Sequence, residues 1–150
     1  MSEASLWTLL RTNLPITMYR VENKVSSGMP DIHYVGNNFS GWIELKYIKD
    51  LPVKGKINIG LSRSQHLWHS SYNGYGGKSW IIVRIGRFAL LLFNGKYASK
   101  IVKRPNYSDL EKCIQWGHWG NMKDDQWKNL AEEIKGEKKD RAASRSVREC

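Results

Sequence analysis

The stretch that decides the fold is SGMPDIHYVGNNFSGWIELKY, residues 27–47, in which two runs of alternating side chains flank a turn. Side chains alternate across a β-strand, so Glu44 and Lys46 share one face of the second run with Trp42. Asp31 opens the first run. If the two runs pair as a hairpin, the pattern places two carboxylates and one ammonium together on one side of a sheet.

Two oxygen donors beside an ammonium suit a hard divalent cation such as Mg²⁺, which keeps several waters and joins a substrate phosphate. A metal-bound water has a lowered pKa, so such a site suits phosphodiester hydrolysis. The alternative is a surface salt bridge between exposed strands, which contributes only fractions of a kcal/mol. The metal site is favoured because Gly-x-Pro-Asp precedes one strand, Glu-x-Lys lies in the next, and the chain is strongly basic.

Composition predicts one globular domain with a nucleic-acid partner. The 150 residues carry 24 Lys and Arg against 14 Asp and Glu, which gives a net charge of +10. A domain this basic often binds a polyanion, although the excess charge could serve solubility alone. No stretch of sequence reaches the apolar length of a membrane span, so we expect a soluble, intracellular protein with no membrane partner.

The order of elements predicts an α/β fold with a mixed central β-sheet flanked by helices. Periodicity and turn signals give a helix, three strands, a second helix, two strands and then C-terminal helices. We expect the domain to span residues 1–134, with a core over about 1–104 and C-terminal helices over 105–134. Residues 135–150 are predicted to form a basic tail that is disordered when free.

Two polar residues on the predicted helices each have two interpretations. Glu3 shares the apolar side of the first helix, so it is either a partner of the helix dipole or a site residue. Gln65 follows Ser62 at the spacing of a capping box, a role that does not exclude a second one in the site.

SGMPDIHYV followed by GWIELKY resembles the PD-(D/E)XK nuclease superfamily. The chain is most similar to the small phage and bacterial VRR-NUC-type nucleases, which resemble Holliday junction resolvases. The resemblance runs from the first helix to about Phe93. It implies a restriction-endonuclease-like αβββαβ core and metal-dependent cleavage of DNA in the cytoplasm of a bacterium or of a phage-infected host cell.

The resemblance also implies roles for individual residues. Asp31 and Glu44 would hold the divalent metal, with the backbone carbonyl of Leu45 as an extra ligand. Lys46 would position or activate the attacking water. The metal would be Mg²⁺, with Mn²⁺ as a possible substitute.

Further members of the site are implied less directly. The superfamily places an acidic residue on its first helix, and Glu3 matches that position, with Glu22 as a competitor that the sequence does not eliminate. A polar residue on the helix after the third strand often lies near the site, and Gln65 matches it.

Other residues are assigned by residue type and position. Five basic residues are predicted to contact backbone phosphates: Lys54, Lys56, Arg63, Arg84 and Arg87. His66 and His69 are expected at the surface or in a groove. We interpret the tryptophans as core or interface residues rather than as platforms for bases, although Trp42 is expected close to the site.

The resulting prediction is a Mg²⁺-dependent endonuclease that acts on branched DNA as a homodimer, in the manner of a Holliday junction resolvase. The junction preference and the dimer come from the resemblance. Two alternatives stay open: a nuclease for duplex, flap or single-stranded DNA in repair or phage DNA processing, and a basic DNA-binding protein without catalysis.

Overall fold

The computed structural model describes residues 2–22, 26–52 and 54–136. The first helix, α1, spans Glu3–Asn13. It starts after Ser2 because the Ser2 hydroxyl accepts the backbone N–H of Ser5, and the Ser5 hydroxyl accepts the backbone N–H of Ser2 in return. These bonds satisfy backbone donors that a helix start leaves without partners.

A six-stranded mixed sheet forms the centre of the molecule. The strands are β1 Thr17–Arg20, β2 Ile32–Gly36, β3 Phe39–Ile48, β4 Ser79–Ile85, β5 Ala89–Asn94 and β6 Ile114–Trp119. They lie in sequence order across the sheet. The β3–β4 pair is parallel and every other pair is antiparallel. The parallel pair is joined by α2, Arg63–Gly74. The predicted mixed α/β fold and its αβββαβ order are therefore confirmed.

The remaining helices lie in the C-terminal half. They are a 3₁₀ turn at Gly95–Tyr97, α3 Ala98–Ile101, α4 Tyr107–Cys113 and α5 Asp124–Lys135. Apolar side chains of α1 and α5 pack on one face of the sheet. Those of α3, α4 and the loop before α2 pack on the other face. Each face is thus buried against its own layer, as a strongly apolar central strand requires.

The helices predicted for residues 105–134 are wrong over Ile114–Trp119, which form β6 and pair with β5. The preceding helix, α4, begins after Asn106, whose side chain accepts the backbone N–H of Asp109. Buried positions at Ile114 and Trp116 alternate with more exposed ones in β6. Alternation with a period of two favours a strand, and pairing with the edge of β5 overrides the short helical pattern.

Helix α5 is the last element that the structure describes. α5 ends at Lys135, and Gly136 follows it in the left-handed conformation with φ +81°. The tail predicted for 135–150 lies almost wholly outside the described residues. Among the helices that the structure describes, none is long and apolar enough to cross a membrane.

Candidate metal centre

Three carboxylates converge where the start of β2 lies beside the middle of β3. Glu3 is the first residue of α1, Asp31 immediately precedes β2, and Glu44 lies in β3. Each offers one oxygen, and these oxygens all lie within 4.8 Å of one another. The register explains part of the convergence, because Ile32 pairs with Ile43 and so brings Asp31 beside Glu44. Glu3 reaches the same point from the start of α1.

The three carboxylates fit a hard divalent cation. Like charges this close repel each other by about 3 kcal/mol per pair at an effective dielectric constant of 20. Glu44 is only 1% exposed, so solvent does little to screen its charge. An all-oxygen donor set is what Mg²⁺, Mn²⁺ and Ca²⁺ prefer, and a bound cation would remove the repulsion. Glu22, the competitor of Glu3, is exposed and is not part of this cluster.

Lys46 lies beside the buried carboxylate. Its Nζ is 3.7 Å from Oε2 of Glu44, and the residue is 9% exposed. Glu44 and Lys46 are two residues apart in β3, so both side chains lie on the same face of the sheet. Their partners in the parallel strand β4 are Ile81 and Val83. Leu45, between them, turns its side chain into the opposite core. The predicted metal contact of its carbonyl stays a prediction.

Gln65 makes the capping contacts and the site contact at the same time. Its Oε1 accepts the backbone N–H of Ser62 at 2.9 Å, and its own N–H donates to the Ser62 hydroxyl at 3.2 Å. Its Nε2 donates to Oε2 of Glu44 at 3.3 Å. The start of α2 is thereby tied to the carboxylate that Lys46 also contacts.

A tight contact positions the loop that carries Asp31. Gly28 has φ +81°, and a Cβ there would collide with the backbone carbonyl of Ser64 in the first turn of α2. Pro30, just before Asp31, is buried. Only glycine fits both this backbone conformation and the close contact with α2, which explains the glycine of the Gly-x-Pro-Asp pattern.

His69 is a neighbour of the site, and its predicted position was wrong. It is fully buried, whereas a surface or groove position was expected. Its Nδ1 lies 2.7 Å from the Ser79 hydroxyl, which also accepts a hydrogen bond from Asn73. Burial, followed by the charge of Lys46, lowers the pKa of His69 to about 4, so the ring is neutral at pH 7. Its position four residues after Gln65 on α2 is the signal that could have found it.

The predicted phosphate-binding residues divide into two groups. Lys54, Lys56, Arg63 and Arg87 are exposed, as a phosphate contact requires. Arg84 is only 7% exposed, and it donates hydrogen bonds to the backbone carbonyls of Gly86 and Arg87 in the β4–β5 turn. The assignment of Arg84 as a phosphate contact is therefore corrected, because its guanidinium is engaged in holding this turn.

The fold and the cluster together define an α/β protein with a candidate carboxylate metal centre. No protein-family model and no curated protein matches the chain. Among solved structures, it is similar to Hjc, a Holliday junction resolvase from the archaeal hyperthermophile Archaeoglobus fulgidus. The identity is 20% and the TM-score 0.43, over 63% of this chain and 70% of the resolvase chain.

Proposed function

We propose that this protein is a metal-dependent endonuclease that hydrolyses phosphodiester bonds in DNA. The observation that carries the proposal is the convergence of Glu3, Asp31 and Glu44, with oxygens within 4.8 Å of one another, beside the ammonium of Lys46. Carboxylates that face a polyanion are unfavourable unless a cation lies between them. A protein that only bound DNA would have no use for this cluster.

The chain's own groups have distinct tasks in this proposal. Asp31 and Glu44 would hold the cation, with Glu3 as a third carboxylate and the Leu45 carbonyl as a further donor. The cation would lower the pKa of a water and offset the charge that develops on the phosphate. Lys46 orients the attacking water and offsets negative charge in the transition state.

The surroundings of the cluster hold these groups in place. Gln65 fixes one oxygen of Glu44 from the start of α2. The neutral ring of His69 adds no second positive charge near Lys46. The charged groups are thus held in position before the substrate binds. Such preorganisation accounts for much of the electrostatic stabilisation of transition states in enzymes.

DNA is proposed as the substrate because of the net charge of +10 and the motif resemblance to DNA nucleases. Branched DNA, the choice of Mg²⁺ and action as a homodimer are finer proposals that depend on that resemblance. Exposed cations at Lys54, Lys56, Arg63 and Arg87 would contact backbone phosphates without reading sequence. Cleavage of duplex, flap or single-stranded DNA is the competing proposal.

The test uses the variants Asp31→Asn and Glu44→Gln, which remove a charge with little change of shape. We expect each to lower Mg²⁺-dependent cleavage by more than about 100-fold, beyond the loss that supporting residues of metal sites typically cause. Asp109→Asn is the matched control, since this exposed acid lies on α4. Substrates are a four-way junction, a flap, a matched duplex and single strands, with Mg²⁺ or with EDTA.

Each outcome has a defined meaning. Cleavage that survives both EDTA and Asp31→Asn would contradict the metal centre. Binding without cleavage under Mg²⁺ or Mn²⁺ would favour the DNA-binding protein without catalysis. Equal cleavage of duplex and junction would remove the branched-DNA preference and leave the nuclease proposal in place. Sedimentation of the free protein tests the homodimer separately.

A further inference from the structure

A row of aromatic side chains crosses the sheet next to the acidic cluster. Tyr19 in β1 pairs with His33 in β2, and His33 pairs with Trp42 in β3. The rings of His33 and Trp42 are 4.9 Å apart between centroids. Directly paired residues project to the same side of a sheet, so these three side chains form one continuous row.

Helix α2 extends the row with two more rings. Trp68 meets Trp42 edge to face, with centroids 6.1 Å apart. Tyr72 stacks on Trp68 at 4.7 Å, with an angle of 13° between the ring planes. We call the set Tyr19, His33, Trp42, Trp68 and Tyr72 the aromatic row.

The aromatic row adjoins the candidate metal centre. His33 follows Asp31 by two residues, and Trp42 precedes Glu44 by two residues, so each pair lies on the same face of its strand. Two residues along a strand span about 7 Å. A phosphodiester placed at the carboxylates would therefore hold its neighbouring nucleotide over the row.

The aromatic row is not part of either buried core of the described chain. Trp80, Trp116 and Trp127 are buried, as the sequence predicted for tryptophans in general. Trp42 and Trp68, in contrast, keep part of their surface exposed, and Tyr19 is 58% exposed. Packing alone does not require an aromatic run that remains accessible to solvent beside a charged cluster.

Resting on the proposed nuclease function, we propose that the aromatic row stacks unpaired bases next to the scissile phosphate. Bases in a duplex have their faces covered by neighbouring base pairs, whereas unpaired bases offer a free face to an aromatic ring. The substrate would then contain single-stranded nucleotides at the cleavage point, as flaps, splayed ends and single strands do. Among the substrates considered for the nuclease, this inference therefore favours flap or single-stranded DNA over a fully paired four-way junction.

The experiment measures binding in EDTA, so that no cleavage occurs. Labelled oligothymidylate and a matched duplex are titrated against wild type, Tyr19→Ser and Trp42→Leu, with anisotropy as the readout. Trp119→Leu is the control, because Trp119 is 50% exposed at the opposite edge of the sheet in β6. We expect Trp42→Leu to weaken single-strand binding by roughly 5- to 150-fold, the range for loss of one stacked base, while duplex binding is unchanged.

Tyr19→Ser is the variant that protects the test against misfolding, because Tyr19 is exposed on an edge strand. We expect a smaller loss in the same direction, and quenching of tryptophan fluorescence on single-strand binding that Trp42→Leu reduces. Unchanged single-strand affinity in both variants, or equal losses on single strand and duplex, would overturn the proposal. So would lower thermal stability in Trp42→Leu with normal binding by Tyr19→Ser, since the row would then only pack α2.

Failure of this inference is distinguishable from failure of the nuclease. If wild type cleaves DNA with Mg²⁺ and the row variants bind single strands normally, the inference fails and the nuclease stands. If the row variants lose single-strand binding and wild type never cleaves, the nuclease proposal fails and the row stands as a binding surface.

Discussion

Glu44 occupies a position that is unfavourable for a lone carboxylate, since it is 1% exposed and lies beside Ile81 of β4. Burying an unpaired charge costs several kcal/mol. The nearby Nζ of Lys46 and the Nε2 of Gln65 offset part of that cost. Neither contact explains why Asp31 and Glu3 add two further carboxylates at the same point. The proposed cation, bound by all three, would explain it.

The choice between Glu3 and Glu22 gives a prediction at the scale of single residues. We expect Glu3→Gln to raise the Mg²⁺ concentration needed for half-maximal cleavage, and to lower activity by about 10- to 100-fold, because one carboxylate of the cluster is lost. Glu22→Gln is the matched control, since Glu22 is exposed outside the cluster. A Mg²⁺ titration of initial rates checks both. Equal effects of the two substitutions would contradict the assignment.

The sequence predicts those parts of the site that depend on residues close together in the chain. Alternation within one strand is local, so the shared face of Glu44 and Lys46 could be read directly. Hairpin pairing is nearly local, and it brought Asp31 to that face. The position of Glu3 depends on how α1 packs across the sheet, which no spacing within the chain encodes. The sequence therefore left Glu3 and Glu22 as alternatives.

At the scale of elements, the contact between the Asp31 loop and α2 couples the position of Asp31 to that of Glu44. The loop approaches α2 at Gly28, which lies against the backbone of Ser64. The next residue of α2, Gln65, contacts Glu44. A shift of the loop would therefore move Asp31 relative to α2, whose Gln65 contacts Glu44.

Gly28→Ala tests that coupling. Gly60→Ala is the control, because Gly60 has a similar φ of +86° but open space around a Cβ. We expect Gly60→Ala to lower the free energy of unfolding by roughly 1–2 kcal/mol, the cost of a left-handed conformation with a side chain. Gly28→Ala should cost more, and should lower cleavage by about 100-fold, since small displacements of catalytic groups have effects of that size.

Urea denaturation and initial rates with Mg²⁺ measure the two effects. If Gly28→Ala matches Gly60→Ala in both stability and activity, close packing of the loop on α2 has no role in the site. Loss of stability with normal activity in the folded fraction would separate the packing of the loop from the placement of Asp31.

Elements also show where sequence signals compete. α1, α2 and the first five strands were predicted because each combines a clear period with turn or cap residues, such as Ser2 and Ser62. The segment Ile114–Trp119 is short, and it follows a helix with apolar residues at helical spacing. Its strand state depends on pairing with β5, from Phe93↔Ile114 to Ala89↔Trp119, so the partners lie more than 20 positions earlier in the chain. Tertiary pairing of this kind overrides local propensity.

At the scale of the whole molecule, the sheet separates two chemical environments. One face carries the core shared with α1 and α5. The other carries Glu44, Lys46 and, beyond them, the second core. His69 lies on α2, which covers this second face. Because the ring is buried in its neutral form, its protonation links the neighbourhood of the site to the free energy of unfolding.

That link predicts a fold that loses stability in mild acid. The pKa of His69 is about 4 in the folded protein, against an ordinary value of 6.5. Between these pH values the unfolded chain binds a proton that the folded chain does not, so the free energy of unfolding falls as the pH is lowered. The full loss is on the order of 3 kcal/mol. Well above pH 6.5 the ring is neutral in both states and contributes no pH dependence.

Urea denaturation at pH 7, 6 and 5 measures this effect. We expect His69→Gln to be less stable than wild type at pH 7, because the hydrogen bond to Ser79 is altered, yet to lose less stability on acidification. His118→Gln is the control, since this ring is not buried and bonds only the backbone carbonyl of Asn121 among the described contacts. An NMR titration of the His69 ring in the folded wild type should show a midpoint near pH 4. A midpoint near pH 6.5 would contradict a histidine that is buried in its neutral form. So would a loss of stability on acidification that is as large in His69→Gln as in wild type.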